Sequence, residues 1–117
     1  MKQYGLLLMI LLPGPIYADQ AVIRHAEFEQ QATSWTVSVT LQHADTGWDH
    51  YADGWRVVTA DGKVLGHRTL YHPHVNEQPF TRSLSSVLIP AHVKTVIIRA
   101  HDSIHEYGGK VITLELP

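Results

Sequence analysis

Trp35, Val37, Val39 and Leu41 alternate with Thr36, Ser38 and Thr40. A period of two separates apolar from polar side chains only when the backbone is extended. Residues 34–42 are therefore expected to form a strand with one buried face and one wet face. Such a strand needs partners on both edges and a second layer over its apolar face. The rest of the chain supplies them in β-rich runs separated by turn formers. Residues 21–28 alternate loosely, and 55–59 and 64–70 flank Asp61-Gly62, a pair suited to the positive φ of a hairpin turn. Residues 80–89, 95–100 and 110–116 complete the set, and no stretch after residue 18 carries a helical period. About seven short strands in a chain of this length predict an all-β fold, an antiparallel β-sandwich of immunoglobulin or fibronectin-III-like type. Trp55, at the start of the third run, is the expected large aromatic between the sheets.

The first 18 residues read differently. Lys2 precedes the apolar run Leu6 to Leu12, and Pro13-Gly14-Pro15-Ile16-Tyr17-Ala18 leads to the first acid, Asp19. This is the pattern of a secretory signal peptide, cut after Ala18, with residues 19–117 as one domain in the periplasm. The run is shorter than the roughly 20 apolar residues that a spanning helix needs, so no membrane span is expected after cleavage. The chain has no cysteine, and both methionines fall within residues 1–9. An exported domain of this kind is held without disulfides and offers no thiol for a lipid anchor. The net charge of −2 gives no reason to expect nucleic acid as a partner, and a monomer is expected.

All nine histidines lie beyond residue 18. His72 and His74 flank Pro73, which stiffens an extended backbone, and side chains at i and i+2 point the same way. If successive strands alternate in direction, the loops 43–53, 71–79 and 101–109 share one rim of the sandwich. That rim would then collect His43, His50, His72, His74, His101 and His105, accompanied by Asp45, Asp49, Glu77, Asp102 and Glu106. Without sulfur, any metal site must use nitrogen and oxygen donors, which points to Zn(II) or Cu(II). The expected site has His72 and His74 as one chelating arm, with further ligands from His43, His50, His101 and His105. His25, His67 and His92 lie elsewhere and are read as structural.

Two other readings of the rim stand beside this one. The imidazoles and acids, with Arg82, could pin three loops by hydrogen bonds and hold no ion. Alternatively, Trp48, Tyr51, Tyr71 and Tyr107 could form a surface for an unidentified periplasmic protein, although Trp48 is expected to fold back over the core. Catalysis is not expected. Asp45-Thr46-Gly47 looks like the loop of aspartic proteases, but its flanks depart from that pattern. No His-Glu-x-x-His helix or nucleophile elbow is present to support a hydrolase.

In the stretches HADTGWDHYADGW (residues 43–55) and HPHVNEQPFTRSL (residues 72–84), the chain resembles an uncharacterised group of small exported proteins of Gram-negative bacteria. The resemblance implies periplasmic residence and a compact domain. It brings no assigned activity and no ligand residues.

Overall fold

The computed structural model describes the backbone of Leu6–Met9 and residues 20–108 and 111–117 in full. The strands are β1 (Leu6–Met9), β2 (Val22–Gln31), β3 (Ser34–Gln42), β4 (Ala52–Thr59), β5 (Val64–Thr69), β6 (Phe80–Val87), β7 (Thr95–Asp102) and β8 (Ile112–Glu115). They form two antiparallel sheets, ordered β1-β2-β3-β6 and β5-β4-β7-β8. The all-β sandwich expected from the alternation is the fold observed, and no described residue is helical.

β3 shows why. Trp35, Val37, Val39 and Leu41 are all buried, and the residues between them are half-exposed. Burying each such side chain stabilises the fold by roughly 1.5–3 kcal/mol. The outward hydroxyls also pair across strands: Ser38 Oγ lies 2.7 Å from Ser83 Oγ, and Thr40 Oγ1 lies 2.7 Å from Thr81 Oγ1. β4 contributes Trp55 and Val57 to the same core, and β7 contributes Val96 and Ile98, all of them fully buried. Phe28 meets Trp35 edge to face, with centroids 6.4 Å apart.

β2 runs three residues past the expected end at Phe28, through Glu29-Gln30-Gln31. The polar run stays extended because pairing with β3 continues to Gln31↔Ser34, and because Gln31 Nε2 donates to Glu29 Oε1 at 2.7 Å. Cross-strand pairing thus overrides a weak intrinsic preference. Asp61-Gly62 does turn a hairpin, with Gly62 at φ 95°. Its loop covers residues 60–63, longer than a two-residue turn, and is closed by Gly62 N–H to Thr59 O at 2.9 Å and Thr59 N–H to Lys63 O at 2.8 Å.

At the other end of the chain, Leu6–Met9 of the apolar run pairs antiparallel with β2, with Leu6 opposite Glu29 and Met9 opposite Ala26. The expected cut after Ala18 lies outside the described residues.

Candidate metal centre

The loops that follow β3, β5 and β7 meet at one rim, as the alternation of strand direction requires. Their backbones are tied together directly. Ser103 N–H donates to Tyr51 O at 2.9 Å, Tyr51 N–H donates to Ser103 Oγ at 3.1 Å, and Leu70 N–H donates to Asp53 O at 2.9 Å. Gln78 bridges the first two loops: its Oε1 accepts His43 N–H at 3.0 Å and its Nε2 donates to His74 O at 2.9 Å.

Asp45 is the junction of this rim. It is buried, and it accepts three hydrogen bonds: from His43 Nδ1 at 2.6 Å, from Ala52 N–H at 3.0 Å and from His74 N–H at 2.7 Å. Burial by itself would push the Asp45 carboxyl up. The donors from His43, His74 and Ala52 outweigh burial and hold it below its ordinary value. The carboxylate that looked like part of a protease loop therefore spends its oxygens on joining loops.

The contact with Asp45 also orients His43. With Nδ1 on the carboxylate, the lone pair of His43 belongs to Nε2, and that atom is buried without a hydrogen-bond partner. Asp102 repeats the arrangement from β7. Its Oδ1 accepts the N–H groups of Ile104 at 2.9 Å and His105 at 2.7 Å, while its Oδ2 is buried without a partner. Burial again opposes ionisation, and the two backbone donors together with His105 hold the carboxyl low. His50 stands between these residues. Its ring lies edge-on to His43 at 4.7 Å, and its Nε2 is 3.3 Å from Asp102 Oδ1.

One donor atom from each of His43, His50 and Asp102 lies within 4.8 Å of the other two. Donors on a shared zinc would be about 3.4 Å apart, so closing by at most about 1.4 Å would seat an ion of that size. His105 borders the group, with its ring 5.1 Å from that of His50 and its Nδ1 3.2 Å from Asp102 Oδ1.

The remaining residues of the expected site are placed elsewhere on the rim. His72 and His74 do point the same way, with ring centroids 4.8 Å apart. However, Arg82 Nη2 lies 2.9 Å from His74 Nε2, and the His74 ring stacks on Phe80 at 3.9 Å. His72 is exposed, with its Nδ1 3.4 Å from Pro73 O. His101 is separated by strand alternation: Asp102 turns into the fold, so His101 faces outward, where its Nδ1 meets Asp53. The reading from sequence places Asp102 only among the accompanying acids, yet its carboxylate meets His50 and groups with His43 and His50. The available signal was its position one residue past an outward histidine on an alternating strand. Trp48, expected to cap the core, is instead 67% exposed and rests edge-on against Tyr51.

The His74 ring is held toward its neutral form. Burial lowers its pKa from the ordinary 6.5, and the charges of Arg82 and His72 push in the same direction. A base whose folded pKa lies below its unfolded value favours folding above the unfolded value and loses that contribution as the pH falls through the folded one. The thermal midpoint should therefore drop as the pH falls from about 7.5 to about 5.5, and His74→Gln should flatten part of that decline. Parallel melting curves of the two proteins would check this, and identical slopes would contradict it.

No family model matches the chain, and no solved structure matches it. A protein of Halomicrobium mukohataei with the printed name "Putative lipoprotein" is 45% identical over 78 residues, or 67% of this chain. Those residues cover 38% of the relative, so the chain resembles one part of a longer protein.

Proposed function

We propose that this protein is a non-catalytic, exported metal-binding module that holds one divalent transition ion, Zn(II) or Cu(II), at His43, His50 and Asp102. One observation carries the reading: His43 Nε2 and Asp102 Oδ2 are both buried without a partner, and both belong to residues that converge on His50. Buried polar atoms in folded proteins are nearly always paired. Two orphans in one cluster, both lone-pair donors, describe a shell built for a cation. Asp45 supplies the carboxylate that orients a ligating imidazole and raises its basicity, and the set of nitrogen and oxygen donors suits Zn(II) or Cu(II). His105 is the nearest further imidazole. The two-sheet order, β1-β2-β3-β6 and β5-β4-β7-β8, supports a β-sandwich whose rim loops carry the site. The apolar run at 6–12 and the name of the relative support an envelope location.

A second reading rests on the hydrogen bonds of Asp45, Gln78 and Ser103, which join the loops without an ion. On that reading the rim is architecture or a partner surface.

Calorimetric titration of the tag-free protein with Zn(II) and Cu(II) separates the two. Saturable one-to-one binding that is lost in His50→Ala and in Asp102→Asn, and kept in a His72→Ala/His74→Ala double variant, is expected. Binding lost only in the double variant would move the site to the His-Pro-His loop. Absence of stoichiometric binding would leave the hydrogen-bonded rim.

A further inference from the structure

The outer face of the second sheet holds a cluster that the metal reading does not use. Trp55 and Val57 of β4 point into the core, so Arg56 between them points out. Ile98 and Ala100 of β7 likewise leave Arg99 and His101 outward. Arg56 and Arg99 are register partners on adjacent strands, and His67 of β5 is the partner of Arg56 on the other side. Like charges directly opposite each other in a sheet repel. Proteins ordinarily relieve such a pair with a carboxylate, but among the described residues neither guanidinium has one. Asp53, also on β4, is taken by the ring of His101. What the two arginines share is Tyr107: its ring centroid is 4.0 Å from Arg56 Cζ and 5.3 Å from Arg99 Cζ. The Nε atoms of both are buried without a partner, so both stems lie against the protein.

We propose that Arg56 and Arg99 form a binding site for a dianionic oxyanion group, a phosphate or a pair of carboxylates carried on a small molecule. Two rigid guanidinium forks on neighbouring strands match the planar, bidentate contacts that such groups accept. The aromatic ring between them fixes the forks before the anion arrives, which lowers the ordering cost of binding. His67 flanks Arg56 in register, and the His101 ring lies edge-on to Tyr107 at 4.6 Å. This basic concentration occurs in a chain whose net charge is −2, so overall charge does not account for it. None of the four residues is a proposed donor of the metal centre, and the site stands or falls independently of that reading.

The test is a solution NMR titration of the full chain at low salt, without added metal, with inorganic phosphate in one arm and succinate in the other. The Tyr107 ring protons and the Arg56 and Arg99 Nε–H signals are the reporters. Saturable shifts with a Kd of about 1 mM or tighter are expected, weakening at least tenfold in Arg56→Gln and in Arg99→Gln. Because screening reaches only about 10 Å at 0.1 M salt, added chloride should weaken binding in a graded way. Saturation by phosphate alone would assign the site to phosphoryl groups, and saturation by succinate alone or by both would assign it to carboxylates as well. The Trp55 indole signal, buried in every folded variant, verifies that each substituted protein retains its core. Signals that never saturate, or midpoints unchanged in an Arg56→Gln/Arg99→Gln variant whose Trp55 signal is native, would overturn the proposal and leave the arginines as packing around Tyr107.

Discussion

Replacing Asp45 by alanine should destabilise the domain by about 4 kcal/mol and weaken metal binding by roughly 10- to 100-fold. Both effects come from the same two oxygens. Their loss strands three buried donors, the ring of His43 and the N–H groups of Ala52 and His74, and each unsatisfied group costs about 1–3 kcal/mol. The affinity falls because His43 then loses the contact that places its lone pair on Nε2. Asp45→Asn separates the two effects. The amide still accepts from one backbone N–H, so part of the stability returns. Oδ1 alone holds both His43 and Ala52 N–H, so an amide that keeps its oxygen on His74 N–H turns its NH₂ on the His43 ring and loses that orientation. Urea unfolding and calorimetry on the two variants would measure this. An Asp45→Asn protein that bound metal with native affinity would show that Asp45 only joins loops. The acid limb should also change. The Asp45 carboxyl is held below its ordinary 3.8, so its contribution is present above about pH 4 and lost as the pH falls through the lower folded value. The Asp45→Ala variant should lack that component.

Trp55→Ala should have an effect of similar size on stability and none on the chemistry of the rim. Trp55 is fully buried at the centre of β4, paired with Arg68 of β5 and Ala100 of β7. Truncating a buried aromatic of this size costs roughly 3–5 kcal/mol through lost burial and the cavity that remains. In a domain of this size that lowers the melting midpoint by on the order of 20 °C. Trp55→Phe should recover more than half of the loss, because the ring fills most of the volume and the indole N–H of Trp55 has no partner to lose. Thermal unfolding followed by circular dichroism would check both values. A midpoint for Trp55→Ala within a few degrees of the unsubstituted protein would mean that the core closes over the cavity.

How far the fold could be read from residues varied with the signal. Ser34–Gln42 is a strand with the expected ends, because strict alternation binds every residue to one face. β4 and β7 both extend toward the rim beyond their apolar runs, to include Ala52 and Asp102. Ala52 and Asp102 are register partners, and neither belongs to the apolar runs of its strand. The gathering of three loops at one rim followed from alternating strand direction alone, and so did the concentration of histidines there.

The partition of those histidines did not follow. His72-Pro73-His74 was the most conspicuous local pattern, and its rings do converge, but Arg82 and Phe80 occupy His74 from β6. His43 and His50 share one loop, and Asp102, far along the chain, joins them only because β4 and β7 are paired in one register. Period, composition and turn chemistry act within a few residues, and they determined the strands, the two-layer class and the end of the sandwich at which polar chemistry collects. Which nitrogen is free, which carboxylate is shared and which guanidiniums face each other depend on register between strands and on packing between sheets. Those are long-range quantities, decided by the tertiary structure, because shifting any one strand by a residue exchanges its inward and outward side chains.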